Sequence, residues 1–122
     1  MNFLCRLLLW TILCTFPAVA MAQEAGQGLV CDTQKNIEDI VALANESRNF
    51  QASLEKVNNG GSACGVIPVV FIRHETVATV RTADGLRDIV RITVIGLIMQ
   101  YGVQRIAPLE QFTLFKAKGE EI

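Results

Sequence analysis

Thr76-Val77-Ala78-Thr79-Val80-Arg81-Thr82-Ala83-Asp84-Gly85-Leu86-Arg87-Asp88-Ile89-Val90-Arg91-Ile92-Thr93-Val94-Ile95 decides the fold. Two runs rich in Val, Ile and Thr flank Asp84-Gly85, a strong hairpin signal, because β-branched residues suit strands and this dipeptide suits a tight turn. A two-residue turn there sets Arg81 opposite Asp88, Thr79 opposite Val90 and Val77 opposite Ile92. An opposite-charge pair and an aliphatic pair then share one face, which favours that register.

Strand character extends on both sides. Val66–Ile72 is an apolar run containing Pro68, which suits an edge-like strand. Arg73-His74-Glu75 reads as a polar break before the hairpin. Gly96 marks a bend or bulge, Tyr101-Gly102 a turn, and 103–106 a short strand ended by Pro108. Gln111–Lys116 alternates as a last strand.

The residues before Cys64 read differently. Ile37, Ile40, Val41 and Ala44 recur at helical spacing, so a helix is expected over 33–47, capped by Asp32 or Thr33. A second is expected over 50–58, capped by Asn49, with Phe50, Leu54 and Val57 inward and Asn58-Asn59-Gly60-Gly61 as its stop. Segregated helices and strands imply an α+β fold: two N-terminal helices followed by a four- to five-stranded antiparallel sheet. That sheet either curls into a small SH3-like barrel or stays open with the helices on one face.

The chain has 122 residues. Residues 1–22 read as a cleaved signal peptide: Arg6, an apolar run from Leu7 to Phe16, then Pro17 and Ala20-Met21-Ala22. Cleavage is expected after Ala22, with Ala20 as the alternative. This run inflates the 51% hydrophobic content and is too short to span a bilayer. About 100 residues remain, enough for one domain. The expected division is a flexible lead-in at 23–30, one globular domain at 31–117 and a polar tail at 118–122. A formal net charge of −1 offers no basic footprint for nucleic acid. No stable membrane insertion is expected once the signal is removed.

Cys5 and Cys14 fall in the signal, which leaves Cys31 and Cys64. Two cysteines exported to an oxidising compartment read as one disulfide. A metal or redox site would need Cys-x-x-Cys or more nitrogen ligands than His74 supplies. No metal and no cofactor are expected.

Chemistry-bearing motifs are few. The sequence holds no Gly-x-Ser-x-Gly elbow, phosphate loop, His-Glu-x-x-His or dinucleotide fingerprint. His74 and Glu75 are adjacent in an expected turn, where side chains point apart rather than converge. Ser47, Ser53 and Ser62 have no identifiable histidine partner, so no catalytic residue is assigned. Arg73, Arg81, Arg87, Arg91 and Arg105 all fall in the strand half. Arginine binds carboxylate or phosphate in a bidentate fork, and Arg91 and Arg105 are the candidate ligand contacts. The competing reading pairs these arginines with Glu75, Asp84, Asp88 and Glu110 on the surface.

Leu29-Val30-Cys31-Asp32-Thr33, Ala63-Cys64-Gly65-Val66, Ile89-Val90-Arg91-Ile92-Thr93-Val94 and Pro108-Leu109-Glu110-Gln111-Phe112-Thr113 together span most of the expected mature chain. The pattern resembles small exported alphaproteobacterial proteins of unknown function. That resemblance implies a bacterial periplasmic setting and no activity. The expected role is a periplasmic or secreted, non-enzymatic binding or interaction module meeting a protein or cell-envelope partner. The alternatives are a small anionic-ligand carrier using an arginine-bearing sheet, which requires two of the arginines to converge on a concave pocket, and an enzyme, which requires His74 to meet a distant acid or nucleophile.

Overall fold

The computed structural model describes residues 22–117. The expected signal segment up to Met21 and the tail 118–122 lie outside the described residues. The element order is β1 (Gln23–Cys31), α1 (Gln34–Ser47), α2 (Phe50–Asn58), β2 (Cys64–Thr82), β3 (Gly85–Met99) and β4 (Gly102–Lys116). All strand pairs are antiparallel, and the sheet closes into a barrel in the order β1-β2-β3-β4.

This order overturns the expectation of two N-terminal helices. Gln23–Val30, read as a flexible lead-in, belongs to the first strand, and the helices are inserted after it. The sequence of β1 is polar and carries Gly26 and Gly28, so it has little strand propensity of its own. Unbroken pairing with β2 from Gln23↔Ile72 to Cys31↔Cys64 holds it extended. Arg73 adds a clamp, donating from Nε and Nη2 to the two carboxylate oxygens of Glu24 at 2.9 and 2.8 Å.

The helices follow their caps. Thr33 Oγ1 accepts from Asn36 N–H at 3.2 Å, and Asn49 Oδ1 accepts from Ala52 N–H at 3.0 Å. Both satisfy orphan donors of a first turn. Helix α1 ends at Arg48, which takes the left-handed conformation (φ 59°) and donates its backbone N–H to Ala44 at 2.7 Å. Helix α2 ends in the same way at Asn59 (φ 46°). Asn58 then brackets Cys64, donating to its carbonyl at 2.9 Å and accepting from its N–H at 2.8 Å. The helix pair is thereby returned to the sheet beside the Cys31–Cys64 disulfide, whose half-cystines face each other across β1 and β2.

The hairpin also differs in detail. Thr82 pairs with Gly85, so the loop is Ala83-Asp84, and Arg81 stands opposite Leu86, with Thr79 opposite Asp88. From Ala78 to Gly85 the slip is two residues, which preserves the face of each side chain; beyond the bulge at Thr76/Ala78 it does not, and Val77 packs on the helix side while Ile92 fills the barrel. Gly85 (φ 118°) begins the return strand, and Gly102 (φ 129°) does the same in the β3–β4 hairpin after Met99↔Gly102. Positive φ favours glycine at both. Arg73-His74-Glu75 does not break the strand. His74 and Glu75 face the single residue Arg91 in a bulge, and β2 runs on to Thr82. Likewise β4 passes through Pro108, because a register shift between Val94 and Gly96 leaves that stretch out of regular pairing. Gly96 thus sits at an irregularity.

Alternation along the strands makes two cores. Leu29, Cys31, Cys64 and Ile89 face α1, where Ile37, Ile40 and Val41 are buried against them. On the opposite face Val30, Val69, Phe71, Val90, Ile92 and Val94 fill the barrel. The rings of Phe71 and Phe115 lie 5.9 Å apart there, with the Arg73 guanidinium 3.6 Å over Phe115. Strands β1 and β4 meet only at Val30↔Thr113 and Cys31↔Phe112. Two buried polar side chains reinforce this seam: Thr113 Oγ1 donates to Leu29 O at 2.6 Å, and Gln111 Nε2 to Asp32 Oδ1 at 3.1 Å.

Candidate functional site

Among the described residues the arginines separate into those with an ion-pair partner and those without. Arg91 donates from Nε and Nη2 to Glu75 at 2.7 and 2.8 Å, and its Nη1 is 3.6 Å from Glu110. These bonds, with a backbone N–H, hold the Glu75 pKa down at about 2. Arg105 is exposed on β4 opposite Gly96, whereas Arg91 stands opposite Phe112, so the two expected ligand contacts do not converge. Arg73 is taken by Glu24. His74 Nε2 shares a 2.7 Å hydrogen bond with Thr93 Oγ1 on the neighbouring strand.

Arg48, Arg81 and Arg87 instead line one cleft. It lies between the C-terminal end of α1, the start of α2 and the tip of the β2–β3 hairpin, and holds about 700 Å³. Volumes of this order suit small-molecule sites. Leu29, Ile40, Val41, Ala44 and Leu114 supply apolar walls, and Phe50, 41% exposed, forms part of the rim. Phe50 was expected to face the core; one turn later, Leu54 does so. Asn45 ties α1 to the hairpin by donating from Nδ2 to the Arg81 carbonyl at 2.7 Å.

Each arginine reaches the cleft for a local reason. Arg87 occupies the helix-facing row of β3 two residues before the buried Ile89, opposite Val80 on β2. Its Nη1 is shut off from solvent with no hydrogen-bond partner among the described residues. Arg48 is placed by the left-handed cap of α1, an uncommon conformation for a bulky side chain. Arg81 belongs to the opposite row from Val80, so its carbonyl is its firm link to the cleft wall. Asp84 is the one acidic residue of the lining.

Arg81 and Arg87 belong to the arginines of the strand half; Arg48, Asn45 and Phe50 carry no site signal in the sequence. The spacing of Arg87 from Ile89 was the available signal. The position of Arg48 depends on how α1 packs over the hairpin, which the sequence does not display. Among the described residues no group of three or more His, Cys, Asp or Glu could hold a metal ion. None of the helices described is long and apolar enough to cross a membrane. Comparison with protein-family models, with curated proteins and with solved structures finds no match.

Proposed function

We propose that this chain is an exported, disulfide-stapled binding domain without catalytic chemistry, and that a small molecule occupies the cleft between α1 and the β2–β3 hairpin. The single observation that carries the reading is the concave, apolar-walled space lined by Arg48 and Arg87, neither of which has an ion-pair partner among the described residues. Export to a bacterial periplasm is supported by the leader-like N-terminal sequence and by the Cys31–Cys64 bond, since disulfides persist in oxidising compartments.

The test is native mass spectrometry of the chain expressed with its own N-terminal segment and recovered from the periplasm. The expected result is a chain lacking residues 1–22, with an added mass that leaves on denaturation. Ala44→Trp, which fills the cleft, removes that mass while circular dichroism shows the fold intact. A bare chain, or an added mass that A44W retains, overturns the reading.

A protein or cell-envelope partner is the second reading, favoured by a different surface. Residues 59–72 and 92–104 contain no Asp, Glu, Lys or Arg. Val66, Ile67, Met99, Tyr101 and Val103 are all exposed there, Tyr101 by 97%. Exposed apolar surface of this kind suits a binding partner. A photo-crosslinking residue at 101 tests it by capturing a defined envelope protein.

A further inference from the structure

We propose that the cleft takes a single-chain amphipathic monoanion: an acyl-type tail against the apolar wall and one carboxylate head at Arg87. This rests on the ligand-binding reading above and adds the chemistry of the ligand.

The charge balance at the cleft calls for an anion. Arg87 faces Lys116 across β3 and β4, a pairing of like charges directly opposite each other. Such pairs are destabilising unless something between them is negative. No ion pair reaches Arg48, Arg81, Arg87 or Lys116 among the described residues. The unpartnered Arg87 Nη1 lies out of water, where an unmade charged hydrogen bond is costly. Nη1 itself is closed to a ligand, so a carboxylate in the cleft meets the part of Arg87 that lines it and adds counter-charge where Asp84 is the one acid of the lining.

The walls set the rest of the ligand. Ile40, Val41 and Leu114 offer a small inorganic anion nothing to bind, and they favour a hydrocarbon tail. Arg48, at the left-handed cap, lines the same cleft and adds a second cation to it. A neutral amphipath fills the walls and leaves the guanidinium unmet. Acetate meets the guanidinium and leaves the walls empty.

The experiment is isothermal titration of the disulfide-intact chain, stripped of co-purified material, with decanoate, decanol and acetate. Decanoate is expected to bind at least roughly ten-fold more tightly than either of the others, the ratio a charge-assisted hydrogen bond supplies. Arg87→Met is expected to weaken decanoate roughly ten- to a hundred-fold and leave decanol unchanged. The comparison of the three probes on the unaltered chain stands even if R87M fails to fold. Decanol binding as tightly as decanoate overturns the anion inference and leaves the ligand-binding reading standing. Decanoate binding that R87M does not alter also overturns it. If no probe binds and no ligand accompanies the periplasmic protein, both fall together.

Discussion

Arg73 and Glu24, 49 residues apart, are joined by two parallel hydrogen bonds of 2.9 and 2.8 Å, and the same guanidinium covers the ring of Phe115. One side chain of β2 therefore pins the start of β1 and closes over the barrel interior. Both partners remain partly exposed, so the pair contributes at most about 1 kcal/mol to global stability. Its effect is local. Glu24→Gln is expected to speed amide hydrogen exchange in Gln23–Gln27 while the denaturation midpoint moves little. Unchanged exchange there would show that pairing with β2 suffices.

The disulfide closes a loop with a sequence separation of 33 that contains both helices. Loop-closure entropy assigns roughly 3–4 kcal/mol to such a link. Cys31→Ala with Cys64→Ala is expected to lose about that much in urea denaturation, and reduction of the unaltered chain should lose a similar amount. A loss near zero would mean that the caps of α1 and α2 and the Asn58 bracket already hold the loop.

Glu75 predicts an acid limb. Its pKa falls from the ordinary 4.5 to about 2, chiefly through the hydrogen bonds from Arg91. A depressed carboxylate stabilises the fold fully above the unfolded value and loses that contribution as pH drops toward the folded value. Stability should therefore decline between about pH 4.5 and pH 2. Glu75→Gln should flatten that segment of a midpoint-against-pH curve. Because Glu75 is exposed, the change is small, and an identical slope in E75Q would assign the acid limb to other carboxylates.

Gly96 allows β3 and β4 to approach. A Cβ there would stand 2.9 Å from Val103 Cγ1 and 3.3 Å from the Gln104 carbonyl oxygen. Gly96→Ala is expected to cost about 1–3 kcal/mol, the range for overpacking. Val103→Ala in the same chain should recover part of it, because it removes the nearer contact. Thermal melts of the unaltered chain and the two variants check this, and no recovery would place the strain in the backbone contact.

Residues with a strong local code were legible in the sequence. Thr33 and Asn49 cap the helices, the Ile37-Ile40-Val41 stripe is buried, and the two cysteines pair. Gly96 lies at a register shift. What was not legible depends on partners distant in the chain. Strand β1 is extended by its pairing with β2, and nothing in Gln23–Gly28 encodes that. The apparent breaks at His74-Glu75 and Pro108 are absorbed by bulges, which propensity reads as ends. Asp84-Gly85 marked the right hairpin, but glycine serves the first position of β3 rather than the second of the loop. The cleft combines a helix cap, a hairpin tip and a strand row, so Arg91 and Arg105 looked as suitable as Arg87 until packing placed them.

The meeting of β1 with β4 imposes an order on assembly. The ring is completed by the first and last strands, so it cannot shut until the chain has emerged as far as Lys116. The half-cystines at 31 and 64 become available much sooner. A polypeptide threading from its N-terminus can lock β1, both helices and the start of β2 into one covalent loop while β3 and β4 are still to come. Oxidation can thus precede closure of the seam at Val30 and Thr113.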